Sequence, residues 1–236
     1  LPLCHLMPCV AAIGALVEQF GATAVLCTAT QPVLGDLIQR FAPSHAISEI
    51  CPEIPFYFDK FRRVTFRQVG VLEDDALAEL LCAHEQVLCI INSRKAAQSI
   101  FSKLPEEGSF HLSTLMVPAH RRTVLEQIRR RLNDGLPCRV VSTSLVEAGV
   151  DIDFPAVYRE LAGLDSILQA AGRCNREGKR AAEDSIVTIF RRTEKAPPLF
   201  GQAIGATNIA LDNNADPASP QTMENYFHEL RKLNGS

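Results

Sequence analysis

The stretch VLCIINSRKAAQSIF at residues 87–101 decides the fold, because a continuous apolar run is followed at once by a polar turn and a helical pattern. The runs CRVV at 138–141 and SIVTIF at 185–190 have the same apolar, β-branched character. Strands that are apolar on both faces are typical of a parallel sheet covered by helices on both sides. The sequence therefore predicts an α/β fold built on a parallel sheet.

Strand and helix patterns alternate on either side of this stretch, from residue 64 onward. The predicted strands are residues 64–71, 87–91, 109–112, 138–143, 156–160 and 185–190. The predicted helices between them are residues 73–83, 94–103, 118–132 and 164–174. Before residue 64 the patterns predict a helix at 8–20, a strand at 22–27, a helix at 33–40 and a connection with a short extended piece at 41–63. After residue 192 they predict a tail that ends in a helix at 223–233.

Composition describes an ordinary globular protein: 236 residues, 47% of them hydrophobic and 22% charged. The net charge of -3 gives no global basic field, so contacts with nucleic acid have to come from local patches. Eight cysteines include no C-x-x-C pair, and Cys27, Cys89 and Cys138 lie in apolar runs, which predicts reduced, buried thiols in the cytoplasm. The apolar opening LPLCHLMPCVAAIGALV is too short and too interrupted for a membrane span, so we expect an internal segment and no membrane role.

The segment QAAGRCNR at 169–176 carries the strongest chemical signal. If a helix continues through it, Gln169, Arg173 and Arg176 lie on one face and apolar residues on the other. Guanidinium forks suit phosphate, so this stripe predicts a sensor for a nucleotide phosphate. The alternative is that Ser166 and Gln169 form a capping box and that the arginines are solvated.

Other polar groups follow the predicted strands, at the sheet edge where α/β proteins bind ligands. Thr28-Ala-Thr30 follows the first predicted strand, and Asn92-Ser93-Arg94 opens a helix whose N-terminal amides could meet a phosphate. In the segment STSLVEAGVDID at 142–153, Ser144 and Glu147 match a capping box, which favours a structural role for Glu147. Within the same segment Gly149 suits a left-handed turn, and Asp151 can accept from ribose or from an arginine.

The motifs TAT, NSRKAAQ, STSLVEAGVDIDFP and QAAGRCNREG occur in this order at successive strand ends. This series resembles the superfamily 2 helicases, and within them the CRISPR-associated helicase-nucleases of type I systems, over roughly residues 1–192. The resemblance implies a RecA-like parallel sheet with helices on both faces, preceded by a remnant of a first RecA-like domain. It divides the chain into the remnant at 1–40, a linker at 41–63, a second RecA-like domain at 64–192 and a tail at 193–236.

The resemblance also implies roles for individual residues. Arg176 is similar to the arginine finger, Arg173 to a second γ-phosphate contact, and Gln169 lies on the same helix. The residues near the nucleotide are then Gly149, Asp151 and Gly172. Thr28 and Thr30 are similar to the motif that couples the ATP state to domain closure. The residues that meet the nucleic-acid strand are Asn92, Ser93, Arg94, Arg121 and Thr143.

A P-loop, G-x-x-x-x-G-K-[ST], and a DEAD or DEAH box are missing from this sequence. ATP and Mg²⁺ are therefore expected to be bound mainly by a first domain that lies before Leu1, and this chain alone is expected to lack ATPase activity. The implied partners are single-stranded DNA and a CRISPR RNA-guided surveillance complex. No metal site is predicted within the chain, and Arg129, Arg130 and Arg131 are interpreted as a solvated helix face.

Two alternatives remain open from the sequence alone. The chain could be the second domain of another superfamily 2 helicase that acts in restriction, in repair or on RNA. It could also be a nucleic-acid-binding module without ATPase activity.

Overall fold

The computed structural model describes residues 5–28, 34–45, 47–147 and 149–233. The chain divides into two compact units, of which the larger consists of residues 61–204. The smaller unit combines the residues up to 60 with those from 205 onward. All of the sheet described here belongs to the larger unit.

The larger unit is built on a six-stranded sheet in the order β1-β6-β5-β2-β4-β3, and every neighbouring pair is parallel. The strands are β1 Thr65–Leu72, β2 Gln86–Ile90, β3 Ser109–Leu112, β4 Cys138–Ser142, β5 Ala156–Glu160 and β6 Ile186–Arg192. Their bounds lie within two residues of the predicted ones. The predicted RecA-like parallel sheet is thus confirmed.

Helices flank the strands along the chain. They are α1 Leu6–Phe20, α2 Gly35–Phe41, α3 Ile54–Lys60, α4 Asp74–Cys82, α5 Arg94–Phe101, α6 Pro118–Asn133, α7 Leu164–Ala171, α8 Gly201–Asn213 and α9 Pro220–Leu233. No helix within the described ranges has the length and apolar character that a membrane crossing requires.

Two separate cores cover the two faces of the sheet. Leu88 and Ile90 of β2 face a core that includes residues of α6 and α7, whereas Val87 and Cys89 face a second core formed with α4 and α5. This alternation is the two-residue period of a strand, and all four side chains are fully buried. Burying each Leu or Ile side chain contributes about 1.5–3 kcal/mol. The central strands therefore form a rigid base for the loops at their carboxyl ends.

The smaller unit differs from the sequence prediction in three places. Residues 22–27 form no strand and are exposed, because a strand needs a hydrogen-bonded neighbour and none of the described ladders reaches them. The predicted connection at 41–63 contains the helix α3 instead of an extended piece. The tail contains α8 as well as the predicted terminal helix. The sequence pattern did not predict α8, because its two glycines lower the helix propensity.

Candidate functional site

The predicted site residues of the larger unit lie in two places, at the carboxyl ends of the parallel strands and beside the amino end of β5. β2, β4 and β5 are neighbours in the sheet, so the loops that follow Ile90, Ser142 and Glu160 lie side by side. The segment after α7 lies at the opposite edge, at the amino end of β5, because Phe154, two residues before that strand, and Cys174 form an isolated parallel bridge. Most of the predicted site residues are in these loops.

The predicted helical stripe through residue 176 is wrong, because α7 ends at Ala171 with Gly172 as its C-cap. The amide of Phe154 donates to the carbonyl of Arg173 at 2.9 Å, and the amide of Asn175 donates to the carbonyl of Phe154 at 3.0 Å. These bonds turn the chain out of the helix, and Asn175 takes a left-handed φ of 48°. Arg173 and Arg176 therefore lie outside the helix, and their side chains have different environments.

Arg173 is buried, with 7% of its surface exposed. Its Nε donates to the carbonyl of Val146 at 2.7 Å, and its Nη2 donates to the carbonyl of Glu147 at 2.6 Å. Burial, together with the nearby charge of Arg176, lowers the pKa of Arg173. In this structure its guanidinium holds the turn after β4 and is not presented to a ligand.

Arg176 is placed quite differently, with 43% of its side chain exposed. Its Nε lies 2.8 Å from the Asp151 carboxylate, which is itself 79% exposed. The Arg176 backbone amide donates to Asp153 Oδ1 at 2.7 Å, so the segment 151–153 fixes its backbone and contacts its side chain. The prediction that Asp151 can accept from an arginine is confirmed. Gly149, two residues before Asp151, is exposed and has the left-handed φ of 71° that its predicted turn requires.

The predicted capping boxes do not form. α7 begins at Leu164 after Gly163, so Ser166 and Gln169 both lie inside the helix, where Gln169 is half-buried. The turn Ser144–Val146 is a short 3₁₀ helix without a side-chain cap. The structural role expected for Glu147 is nevertheless found, because its buried carboxylate pairs with Arg159 at 3.0 Å.

Asn92 is engaged inside the protein. Its Oδ1 accepts from Arg159 Nη1 at 2.7 Å, and its Nδ2 donates to the carbonyl of Leu161 at 2.8 Å. Its backbone amide donates to Glu160 Oε2 at 2.7 Å. Ser93 is half-buried as the N-cap residue of α5 and makes no capping bond, whereas Arg94 is exposed. Of these three predicted strand contacts, only Arg94 presents a charged group to solvent.

Arg159 is a central residue that the sequence analysis missed. Its side chain is 1% exposed and faces Glu147 and Asn92, with its Nη1 also donating to the carbonyl of Glu160 at 2.7 Å. Burial lowers the pKa of Arg159, although Glu147 and Glu160 oppose that shift, and burial raises the pKa of both glutamates. An arginine and a glutamate at the end of an otherwise apolar strand, YRE at 158–160, were the available signal.

A basic groove of about 410 Å³ lies between the start of α6 and the loop after β4. It is lined by Pro118, Arg121, Arg122, Leu125, Arg129, Leu145, Gly149 and Val150. The prediction that Arg129–Arg131 form a solvated face is wrong for two of the three. Arg129 lines this groove and donates to the carbonyl of Asp151 at 2.9 Å, and Arg131 donates to the carbonyl of Pro137 at 2.7 Å. Of the three, only Arg130 is exposed, whereas Arg129 and Arg131 are half-buried.

Three other predicted residues have distinct positions. Thr143 is 7% exposed, and its hydroxyl is buried without a hydrogen-bond partner among the described residues. Gly172 is exposed at the end of α7. Thr28 is exposed in the smaller unit, and Thr30 lies outside the described residues. The coupling role of the two threonines stays a prediction.

The burial of the cysteines depends on whether they lie in strands of the sheet or in its core. Cys89 and Cys138 are buried as predicted, and Cys174 is buried with them. Cys27 is exposed, contrary to the prediction, because its expected strand does not form. In the part of the chain that the structure describes, no three His, Cys, Asp or Glu side chains are grouped to hold a metal ion.

Comparison with known proteins finds a family match within the larger unit. Residues 83–179 match the family model described as CRISPR-associated nuclease/helicase Cas3, C-terminal. The chain is 37% identical over 83 residues to the CRISPR-associated nuclease/helicase Cas3 of Haloferax volcanii. The aligned region covers 34% of this chain and 9% of that protein. It is 27% identical over 146 residues to the protein of the same name from Methanothermobacter thermautotrophicus. Here the aligned region covers 58% of this chain and 18% of that relative.

A solved structure shares the fold. The crystal structure of T. fusca Cas3 with ATP matches with a TM-score of 0.54 and 14% identity, over 78% of this chain and 24% of that one. At this identity the likeness shows the fold alone. The chain thus spans a small fraction of each of these relatives.

Proposed function

We propose that the chain, whose residues 83–179 match the family model of the CRISPR-associated nuclease/helicase Cas3, C-terminal, is the second RecA-like domain of an ATP-dependent DNA helicase. The proposed helicase is a longer, cytoplasmic protein of CRISPR defence that acts with an RNA-guided surveillance complex. In it, this chain supplies the arginine finger and part of the surface that binds single-stranded DNA.

The position of Arg176 carries the proposal. Its guanidinium is exposed beside the segment 151–153 that leads into the amino end of β5, and its backbone is fixed by Asp153. An arginine finger has to be rigid at its base and free at its tip, so that the fork can reach the charge that develops during phosphoryl transfer. The pair with Asp151 is solvent-exposed on both sides, so it holds the guanidinium weakly.

ATP fits this arrangement as a ligand that is shared with another domain. Bound ATP would supply the γ-phosphate, and Arg176 would stabilise negative charge on it. The nearby carboxylates Asp151 and Asp153 are paired with Arg176 and Arg180 and so are not arranged as a metal site. We therefore propose that Mg²⁺ and the other phosphates are held by residues outside this sequence, and that the chain alone releases negligible phosphate from ATP.

The test of the finger uses the helicase that contains this chain. Arg176→Ala is expected to lower the ATP hydrolysis rate by about 10³-fold or more, the range found for arginine fingers. Lys179→Ala is the matched control, because Lys179 is an exposed cation three residues further on that pairs with Glu177. Near-normal hydrolysis by Arg176→Ala would show that the finger is misassigned.

The basic groove supports the second half of the proposal. Arg121 and Arg122 line it near the N-terminus of α6, and Leu125 and Leu145 form its apolar wall. Cationic side chains beside an apolar wall suit a single strand, whose phosphates and bases need both kinds of contact. This is the surface on which we propose that single-stranded DNA lies.

The groove is tested with the chain itself and a fluorescently labelled single-stranded DNA oligonucleotide. Arg121→Gln and Arg122→Gln are each expected to weaken binding, and to reduce the salt dependence of log K by about 0.7 for each phosphate that the variant no longer neutralises. Arg130→Gln is the control, because Arg130 is exposed on the same helix but does not line the groove. An equal loss of affinity in all three variants would indicate a general charge effect and contradict the groove.

A further inference from the structure

Arg159 has an arrangement that burial alone does not explain. Its guanidinium donates hydrogen bonds to Asn92 after β2 and to the carbonyl of Glu160 in its own strand, and it forms an ion pair with Glu147 after β4. A buried ion pair is seldom more stable than well-packed apolar side chains, because both charges lose their hydration. What such a pair does supply is a fixed relation between the elements that it joins.

Glu147 is held from two sides. Arg159 faces its carboxylate at 3.0 Å, while Arg173 donates to its backbone carbonyl at 2.6 Å and to that of Val146 at 2.7 Å. The amide of Glu147 closes the turn by donating to the carbonyl of Ser144 at 3.0 Å. Side chain, carbonyl and amide of this residue are therefore all fixed.

Asn92 is the second anchor of Arg159. Both ends of its amide are used inside the protein, Oδ1 as an acceptor from Arg159 and Nδ2 as a donor to the carbonyl of Leu161. These bonds anchor Asn92 in the loop that continues into the exposed Arg94. The loop after β2 and the turn after β4 are thus joined through one guanidinium.

We propose that Arg159 is a positioning residue, which holds the loop 92–94 and the turn 144–147 in one strand-binding arrangement. Because Arg173 donates to the carbonyl of the same Glu147, the segment that contains Arg173 and Arg176 is connected to this arrangement as well. A preformed surface lowers the entropic cost of binding a flexible strand. The strand-binding part of this inference rests on the proposed function. The coupling of the loop 92–94 to the turn 144–147 can be tested without any DNA.

The first experiment measures amide hydrogen exchange in the chain. Changing Arg159 itself leaves two buried partners unpaired and risks unfolding, so the change is made at the anchor, Asn92→Ala. We expect exchange at residues 144–147 to rise about tenfold while the amides of β4 stay protected. Gln86→Ala is the matched control, because this amide side chain lies at the opposite end of β2 and bonds the carbonyls of Arg131, Leu132 and Leu136.

The outcomes of this first experiment separate cleanly. Faster exchange at 144–147 in Asn92→Ala but not in Gln86→Ala supports the positioning role. No change in either variant overturns it, and so does an equal rise in both, because that would be general loosening.

The second experiment measures the affinity of the chain for a labelled single-stranded DNA oligonucleotide in a double-mutant cycle of Asn92→Ala and Glu147→Gln. If Arg159 couples the two residues, the double variant loses about threefold less affinity than the product of the single losses. Losses that multiply to within about twofold overturn the coupling. A folded parent chain that binds no strand would refute the proposed function, and the exchange result would still decide the positioning role.

Discussion

Arg173 and Arg176 come from one motif, and the structure predicts opposite consequences for removing them. Arg173→Ala leaves the carbonyls of Val146 and Glu147 without their charged donor. A hydrogen bond from a charged group contributes about 1.5–3 kcal/mol, so removing two of them is expected to cost about 3 kcal/mol or more. For a chain of this size that corresponds to a fall in Tm of about 6–12 °C.

Arg176→Ala removes an ion pair whose members are 43% and 79% exposed. Such surface pairs contribute about 0–1 kcal/mol, so the Tm should fall by no more than about 4 °C. The two variants are compared by thermal unfolding followed by far-ultraviolet circular dichroism, with amide exchange of β4 to identify the transition of the larger unit.

An Arg173→Ala variant within about 0.5 kcal/mol of the parent would refute this reasoning. It would mean that the guanidinium is not committed to the turn and is available to a ligand, as the family resemblance implies. A large loss of stability in Arg176→Ala would refute it equally, because the Arg176 side chain would then be part of the fold.

Three further predictions concern packing, thiols and pH. Gly14→Ala should destabilise the chain by about 1–3 kcal/mol in urea unfolding, because the added Cβ would lie 2.6 Å from that of Phe41, whereas Gly35→Ala, which meets nothing within 4 Å, should not. Iodoacetamide should label exposed Cys27 and Cys51 in the native chain but not the buried thiols, since burial raises the pKa of Cys138 and Cys174 to about 12; native labelling of Cys138 would contradict this. Burial, opposed by the charge of Arg159, raises the pKa of Glu147, so the folded state binds this proton more readily and gains stability as the pH falls from neutral toward the ordinary value of 4.5. Glu147→Gln should remove that gain, and equal pH slopes of unfolding free energy in parent and variant would count against it.

The sheet could be predicted from the sequence because its signal is local. Apolar runs bounded by polar turns gave β3 and β5 with the bounds that the structure has, residues 109–112 and 156–160. Residues 22–27 show the limit of the same signal. Their apolar pattern matches a strand, but a strand also requires a neighbour, and a local pattern does not contain that information.

The site residues depended more on long-range contacts. The spacing of Gln169, Arg173 and Arg176 predicts one face only if the helix continues, and the bridge to Phe154 ends it. Gly172 and Asn175 were the local sequence signals that the helix ends, since both residue types are common where helices stop. Asn92 was read as a capping or phosphate-binding residue, whereas its partner Arg159 lies 67 residues away in the sequence and could not be inferred from spacing.

The segment 151–154 explains how one motif can supply both a buried and an exposed arginine. Phe154 pairs with the backbone at 173–175 and so leaves Arg173 facing the turn after β4. Asp153 fixes the amide of Arg176, and Asp151 receives its guanidinium in solvent. A polyphosphate carries more negative charge than one carboxylate, and the exposed pair contributes only about 0–1 kcal/mol, so a phosphate can displace Asp151 without distorting the backbone. Asp151 therefore keeps Arg176 oriented and leaves it available for the proposed role.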